Sequence, residues 1–401
     1  GRARLRLRGR RRRDAVPFEM YVQNNVVYSM ATSFGHLERD SATGVERWVQ
    51  SSRITALDVR DPANIREIGA YDVPGEISDS RMVGSVLYLV SYEDGYCWRC
   101  ATAPSTVVSS FAVGDPARIT RVDQLAFTAP NQSYSWWRRS VTATNQRLYI
   151  AGPSWSWDGR SNPQSVVQIV DIADPRGTLA RGADVPVEGQ ITSRWQMDEY
   201  MGVLRVVSQG GRFWGNSAID PAVQTFRVTS SREVTPLGRT TLRLPQPESL
   251  RSVRFDGARG YAITAQQTDP LYTIDLSDPA NPRQMGELVI PGWVYHMEPR
   301  GDRLIGLGFD QQNADGSLHV SLFDVSNLAQ PRMIQRVNFA RGWANVAEDQ
   351  DRIHKSFQIL DELGLILVPF ASYGRWDGSS CVAPTSGIQL VDYTRDRKSV
   401  V

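Results

Sequence analysis

Two cysteines with a short spacing, Cys97 and Cys100, form a C-x-x-C motif in a segment of aromatic and polar residues. A structural zinc site needs four ligands, and no second C-x-x-C or histidine pair follows nearby. A thioredoxin-like redox site needs a strand-to-helix setting, which this segment lacks. The motif therefore predicts a local Cys97–Cys100 disulfide that staples an exposed loop, with free thiols and a metal or redox site as alternatives.

A second group of polar residues, Asp310, Asn313 and Asp315, precedes Gly316. Side-chain oxygens spaced around a glycine turn are ligands that calcium selects. The spacing departs from the EF-hand pattern, and no glutamate lies twelve positions in. A polar loop between two strands would have the same composition. The segment is a candidate calcium site, and calcium is the one cofactor that the sequence indicates.

Tryptophans form a third group, because several lie in predicted loops beside arginine, aspartate or glycine. Clustered on one rim, such side chains would offer a platform for sugar rings or a peptide. The alternative is that each folds back onto the core. The candidate ligand-binding residues are Trp136, Trp137, Trp155, Trp157, Trp214 and Trp376.

No catalytic residue is assigned from the sequence. A G-x-S-x-G elbow, a P-loop, an H-E-x-x-H motif and a dinucleotide fingerprint are all absent. Among the histidines, His319 is expected to be a packed strand residue. Five aspartates occupy one equivalent repeat position, which predicts a structural task such as accepting backbone N–H bonds at a strand end. They are Asp58, Asp171, Asp275, Asp324 and Asp392.

These aspartates belong to a sequence motif that recurs every 50 to 70 residues. Its clearest copy is Tyr-Thr-Ile-Asp-Leu-Ser-Asp-Pro-Ala-Asn-Pro at residues 272–282, with six further copies at 54–64, 107–116, 166–175, 223–231, 319–327 and 388–393. An apolar, β-branched run followed by Asp-Pro predicts a strand that ends in a type I turn. Each copy is therefore expected to form one hairpin of a repeated unit.

Two more strands are predicted before each hairpin, such as residues 303–307 and, upstream of them, residues 292–298. Four short strands in each of seven units predict an all-β fold, a seven-bladed β-propeller of four-stranded antiparallel blades whose last blade is truncated. Glycines and prolines number 32 and 22, which is too many for numerous long helices. No apolar stretch approaches the roughly 20 residues of a transmembrane helix.

The two ends of the chain differ from the repeats. Residues 1–14 hold eight arginines and one aspartate and are interpreted as a linker or an artefact; without them the formal charge of +2 falls by seven to −5. Residues 15–393 are predicted to form a single propeller domain, and residues 394–401 a non-native tail. Nucleic-acid binding through the arginines is a third functional option, but no nucleic-acid partner is expected.

The repeats also carry a resemblance. Residues 255–264, 269–279 and 286–292, and then 295–299, 304–308, 321–326, 354–357 and 365–369, are similar to bacterial secreted proteins with a C-terminal β-propeller distantly related to WD repeats. The similarity spans residues 18–393. It implies a propeller fold and an exported or cell-envelope location, and it implies no active-site residue.

Together these features favour an exported bacterial binding or scaffolding module that is not an enzyme, with a protein or glycan ligand on a loop rim. The alternative is a carbohydrate-active hydrolase or lyase, with carboxylates meeting at the central channel of the propeller.

Overall fold

The computed structural model is almost entirely β-strand in the part of the chain that it describes. The only helical segments described are a 3₁₀ turn, Arg194–Gln196, and one short helix, α1 (Ile353–Ser356). No described helix has the length and apolar character needed to cross a membrane. The described residues are 15–33, 35–44, 46–93, 105–128, 140–154, 164–210, 220–245, 248–265, 269–310, 317–340, 344–346, 353–372, 375–376, 381–382 and 384–393.

The chain divides into two compact units. The first comprises residues 1–155, 166–185 and 230–233, and the second comprises residues 156–165, 186–229 and 234–401. Seven antiparallel sheets, here called blades 1 to 7, follow one another along the sequence. Blades 1 and 2 and most of blade 3 belong to the first unit.

Each blade of the first unit has four strands in sequence order. Blade 1 consists of β1 (Ala15–Gln23), β2 (Val26–Ser33), β5 (Ser51–Asp58) and β6 (Arg66–Pro74), with the hairpin β3 (His36–Arg39) and β4 (Glu46–Val49) inserted after β2. Blade 2 consists of β7 (Glu76–Val83), β8 (Val86–Glu93), β9 (Ser105–Ala112) and β10 (Thr120–Thr128). Blade 3 consists of β11 (Ser140–Ala143), β12 (Arg147–Ser154), β13 (Gln164–Asp171) and β14 (Ala180–Glu188).

Blades 4 to 6, in the second unit, have the same plan. Blade 4 consists of β15 (Met197–Tyr200), β16 (Val203–Ser208), β17 (Ala222–Val228) and β18 (Val234–Thr241). Blade 5 consists of β19 (Ser249–Asp256), β20 (Arg259–Ala265), β21 (Asp269–Asp275) and β22 (Arg283–Ile290). Blade 6 consists of β23 (Trp293–Arg300), β24 (Arg303–Phe309), β25 (Leu318–Asp324) and β26 (Arg332–Phe339).

Blade 7 departs from this plan. It consists of β27 (Ala344–Asn345), β28 (Gln358–Leu360), β29 (Leu365–Ser372) and β32 (Ser386–Asp392), with the hairpin β30 (Arg375–Trp376) and β31 (Cys381–Val382) before β32. One edge of β29 pairs with both β27 and β28, and the other edge pairs with β32. Among the described residues no strand follows β32, so Ile388 is 64% exposed, whereas Val320 at the equivalent position of blade 6 is 5% exposed. The all-β class and the seven blades predicted from the sequence are confirmed, and within the described residues the last blade is irregular and has no fourth strand.

The recurring aspartates explain why each third strand ends where it does. Asp275 accepts a hydrogen bond from the Ser277 backbone N–H at 2.9 Å, and Asp278 accepts one from Ala280 at 3.0 Å. These side chains satisfy backbone donors that leave the sheet, so the chain turns back as the fourth strand. The same first contact occurs at Asp58, Asp171 and Asp324. The structural role predicted for these residues is confirmed at the four described turns.

Apolar side chains pack between neighbouring blades. In the first unit, Met30 and Ile54 of blade 1 share a buried cluster with Leu87 of blade 2. In the second unit, Tyr261 of blade 5 shares one with Leu304 of blade 6. Strands covered on both faces in this way explain the near-continuous apolar runs in the sequence.

A second contact fixes the turns that follow the third strands of blades 5 and 6 onto the preceding blade. Thr225 of blade 4 donates a hydrogen bond to the Pro279 carbonyl of blade 5, and Thr273 of blade 5 donates one to the Leu328 carbonyl of blade 6, both at 2.5 Å. Beside each threonine, a glycine of the fourth strand, Gly238 or Gly286, leaves the space that the incoming turn occupies. A side chain at either glycine would overlap turn backbone.

Candidate functional site

The antiparallel order of the strands fixes which connections share an end of a blade. The second strand ends, and the third begins, at the end where the fourth strand also stops and the next blade starts. In blade 6 this end is marked by Trp293, Phe309, Leu318 and Phe339. We call it the loop-bearing end; the turns between strands one and two, and between three and four, lie at the opposite end.

The six predicted ligand-binding tryptophans belong to connections whose flanking strands end or begin at the loop-bearing ends of the blades. The connections that carry them run from β10 to β11, from β12 to β13, from β16 to β17 and from β29 to β32. Trp376 is in β30, where only its backbone is described. Five of the residues, Trp136, Trp137, Trp155, Trp157 and Trp214, lie outside the described residues. Whether these side chains meet on one surface stays a prediction.

The predicted disulfide and most of the predicted calcium site also lie outside the described residues, namely Cys97, Cys100, Asn313 and Asp315. Asp310 is described, and its backbone N–H donates to the Ser317 carbonyl at 2.6 Å. Its carboxylate lies 4.0 Å from the Arg336 guanidinium, a neighbour that disfavours a cation. No group of three or more metal-ligating side chains occurs in the described part of the chain.

An exposed aromatic residue missed in the sequence, Trp293, lies at the loop-bearing end of blade 6. It is 53% exposed and is paired in register with Phe309, with ring centroids 6.3 Å apart. The chain reaches it through Gly292, which has a φ of +74° and packs against Phe309 and Asp310. Residues 292–298 were predicted as a strand, and the strand pattern itself did not distinguish Trp293 from a core residue. The Pro-Gly pair before it was the available signal of a strand end.

Arg336, in the fourth strand of blade 6, has a guanidinium side chain that is only 10% exposed. Its Nε donates to Ser321 Oγ at 2.9 Å, and Nη1 donates to the Pro291 carbonyl at 2.6 Å. Nη2 has no partner among the described residues. Burial lowers the pKa of Arg336, and the negative charge of Asp310 opposes that shift without cancelling it. The positive charge of the guanidinium is therefore only partly compensated. Trp293 shares a face of the sheet with Phe309 and Leu318, whereas Arg336 pairs with Ser321 and therefore points to the opposite face.

The same guanidinium influences His319 in β25, which is fully buried. Burial and then the charge of Arg336 lower the pKa of His319 to about 3, so the ring is neutral at pH 7. His319 is packed in the strand, as predicted.

A second cluster joins elements that begin blades 4 to 7. The Arg254 guanidinium of β19 lies over the ring of Trp195, from the 3₁₀ turn before β15, with 3.1 Å between its Cζ and the ring centroid. Its Nη2 lies 3.0 Å from Nδ1 of His296 in β23. His296 Nε2 lies 2.8 Å from Glu298 Oε1. His354 of α1 meets the Trp195 ring edge to face, with centroids 4.9 Å apart.

These contacts define the tautomer and the charge of His296. A guanidinium can only donate, so the nearer nitrogen Nδ1 accepts from Arg254, and Nε2 carries the proton donated to Glu298. Burial lowers the pKa of His296 to about 4 against the opposing effect of Glu298. Burial alone would raise the pKa of Glu298, but the His296 hydrogen bond and the Arg254 charge lower it overall. Both ring nitrogens form hydrogen bonds, so His296 links its own blade to Arg254 of blade 5. No free lone pair remains on the ring to act as a general base.

Comparison with known proteins gives relatives without an assigned activity. A stretch of 164 residues, 41% of this chain and 25% of the relative, is 35% identical to an uncharacterised protein of Methanocaldococcus jannaschii. A stretch of 188 residues, 47% of this chain and 28% of the relative, is 30% identical to an uncharacterised protein of Archaeoglobus fulgidus. The chain thus spans only about a quarter of the length of these archaeal relatives.

Among solved structures, a prolyl endopeptidase matches with a TM-score of 0.45 and 12% identity, over 94% of this chain and 47% of that one. The β-propeller domain of the Trilobed protease from Pyrococcus furiosus matches with a TM-score of 0.43 and 10% identity, over 93% and 97%. Scores this low carry no information about activity. The model of the beta propeller domain family matches residues 4–124 and 108–398, and the chain therefore belongs to that family.

Proposed function

We propose that the chain is the binding module of an exported or cell-envelope protein, and that its ligand contacts the loop-bearing end of blade 6. The observation that supports this is the exposure of Trp293, whose large apolar ring is 53% open to solvent. An exposed aromatic side chain is typical of recognition surfaces. The predicted tryptophan-bearing connections leave their own blades at the same kind of end.

The environments of the repeated aspartates support a binding function better than a hydrolytic one. The repeated aspartates are engaged by turn N–H groups and by arginines, and Arg60 and Arg332 pair with Asp58 and Asp324. The Arg60 contacts lower the pKa of Asp58 to about 2. A glycosidase needs one carboxyl group whose pKa is raised so that it can act as an acid.

The proposal is tested with the full chain on purified cell-wall polysaccharides and purified envelope proteins, comparing Trp293→Ala with Leu363→Ala. Leu363 is 68% exposed and lies at the opposite end of blade 7, in the turn between β28 and β29. We expect Trp293→Ala to lower the affinity for the ligand identified in this screen by about tenfold or more, which corresponds to about 1.4 kcal/mol. Leu363→Ala should leave the affinity unchanged. Equal affinities of both variants and the wild type would refute the proposal.

Export is tested separately through Cys97 and Cys100. Disulfides persist in oxidising compartments. We expect native protein from the source cell to resist thiol alkylation at these two cysteines until it is reduced. Alkylation of both without reduction would argue against the disulfide and remove its support for export.

A further inference from the structure

The third strand of blade 7, β32, has an open edge in the described part of the chain. One edge of β32 pairs with β29, and no described strand lies along the other. Ile388 and Leu390 are two residues apart and therefore on one face, and they are 64% and 51% exposed. In blades 1 to 6 a fourth strand lies along the corresponding edge of the third strand. The open edge of β32 thus presents backbone groups that are paired in the other six blades.

The composition of β32 is that of an inner strand. Natural sheets protect their exposed edges with charged side chains, prolines or bulges. The six outer strands, which are β6, β10, β14, β18, β22 and β26, each carry at least one arginine. The sequence of β32, Ser-Gly-Ile-Gln-Leu-Val-Asp, has no arginine, lysine or proline, and its one charge is at its last residue. The edge therefore lacks the residues that keep a further strand away.

The pairing with β29 determines which backbone groups of β32 point outward. Directly after β32, the Tyr393 N–H donates to the Gly364 carbonyl at 2.5 Å. Hydrogen-bonded pairs alternate with non-bonded pairs in an antiparallel ladder, so the odd-numbered residues of β32 bond to β29. Pro369, which has no N–H, lies opposite Ile388, in agreement with this alternation. The residues that direct their N–H and C=O groups toward the open edge are Ser386, Ile388, Leu390 and Asp392.

We propose that β32 is a self-association surface, along which two copies of the chain pair antiparallel about a two-fold axis at Gln389. In this register Ile388 lies opposite Leu390 of the second copy, and Ser386 lies opposite Asp392. All four residues have outward backbone groups, so each N–H meets a C=O across the axis. The Leu390 carbonyl already accepts from Gln389 Nε2 at 2.9 Å, and its second lone pair is left for the second copy.

The side chains fit the same register. On one face, Ile388 and Leu390 of both copies form an apolar patch, which removes their exposed area from water. On the other face, Gln389 meets Gln389 of the second copy, and two amides can hydrogen-bond to each other. Asp392 faces Ser386 and not a second carboxylate, so no like charges oppose each other. Both the backbone polarity and the charge of β32 therefore match a second copy of the same strand. The surface is separate from the binding surface proposed on blade 6.

Sedimentation equilibrium of the full chain tests this proposal, and we expect a monomer–dimer equilibrium. Ile388→Lys puts a charge into the apolar patch, and Leu390→Pro removes an outward N–H without breaking a bond to β29. Each should raise the dissociation constant of the dimer by at least about tenfold. The matched control is Val289→Lys, a change at a 59% exposed residue of the outer strand β22, which should leave the constant unchanged.

A cysteine at the axis reads the register itself. Facing Cα atoms of a non-hydrogen-bonded antiparallel pair are about 4.5 Å apart, which is within the range of a disulfide. Under mild oxidation Gln389→Cys should form more disulfide-linked dimer than the wild type. Ser386→Cys, which faces Asp392 of the second copy, should form no more than the wild type.

A wild-type chain that stays monomeric at every concentration would overturn the proposal, as would a dimer that both β32 variants leave unchanged. If either variant does not fold, the crosslinks decide, and equal crosslinking of Gln389→Cys and Ser386→Cys would refute the register. Hydrogen exchange identifies another occupant of the edge. Slow exchange of the Ile388 and Leu390 amides in a monomer would show that a segment of the same chain covers β32, which also overturns the proposal.

Discussion

At the scale of single residues, the buried histidines of the second unit determine how its stability depends on pH. His296 and His354 both have their pKa lowered to about 4, in each case chiefly by burial. Arg194 and Arg254 add to the shift at His354, while Glu298 opposes it. The unfolded chain would protonate both near pH 6.5. Between about pH 6.5 and 4 the unfolded state therefore binds more protons than the folded state.

We therefore predict that the free energy of unfolding falls as the pH is lowered through this window, by about 1–3 kcal/mol per histidine. Urea titrations at pH 7, 6, 5 and 4 measure it. Replacing His354 by Gln should flatten the pH slope more than replacing His36, which is an exposed residue of the first unit. A wild-type stability that rises or stays level from pH 7 to pH 4.5 would contradict the assignment of neutral buried rings.

At the scale of elements, the junction between turn and glycine holds consecutive blades together. Gly238 of blade 4 lies against the backbone of Pro279 and Ala280 in the turn of blade 5. We predict that Gly238→Ala destabilises the second unit by about 1–3 kcal/mol, because the added Cβ overlaps backbone that cannot rotate away. The midpoint of chemical denaturation measures this.

The matched control is Gly387→Ala in β32. A Cβ at that position would meet only ring atoms of Phe370, the nearest at 3.6 Å, which is ordinary contact. This variant should stay within about 1 kcal/mol of the wild type. Equal effects of the two substitutions would show that the close approach at Gly238 is unimportant.

The threonine of the same junction gives an independent prediction. Thr273 Oγ1 donates to Leu328 and accepts from the Gly286 N–H at 3.0 Å. Thr273→Val keeps the shape and removes both bonds, so we expect a loss of about 1–3 kcal/mol. Thr273→Ser keeps the hydroxyl and should recover most of that loss. If valine is tolerated while serine is destabilising, packing of the methyl group, and not hydrogen bonding, dominates at this junction.

Blade 6 lacks these junction residues. Where blade 5 pairs Thr273 with Gly286, blade 6 pairs Leu322 with Gln335. The side chains of Leu322 and Gln335 therefore leave no equivalent recess for an incoming turn. Blade 7, the next along the chain, is also the irregular one, with two short segments beside β29 and no described fourth strand.

At the scale of the whole molecule, the repeated strand-and-turn motif was enough to predict the fold. A turn encoded by local chemistry, Asp275 to Asn281, recurs with the same hydrogen bonds, so its position follows from sequence alone. The cluster of Trp195, Arg254, His296 and His354 was not predictable, because its members come from four blades and meet only after folding. Trp293 was hidden for a different reason: sequence shows that a residue is in a strand, but not that its side chain is open to solvent at the strand's start.

The most direct test of the account is hydrogen exchange of the full chain with and without its ligand. Binding at the loop-bearing end of blade 6 should slow amide exchange at residues 290, 292, 293, 309 and 310. It should leave residues 361–364, in the turn at the opposite end of blade 7, unchanged. Protection confined to 361–364, or absent at 290–293 under saturating ligand, would contradict the assignment of the binding surface.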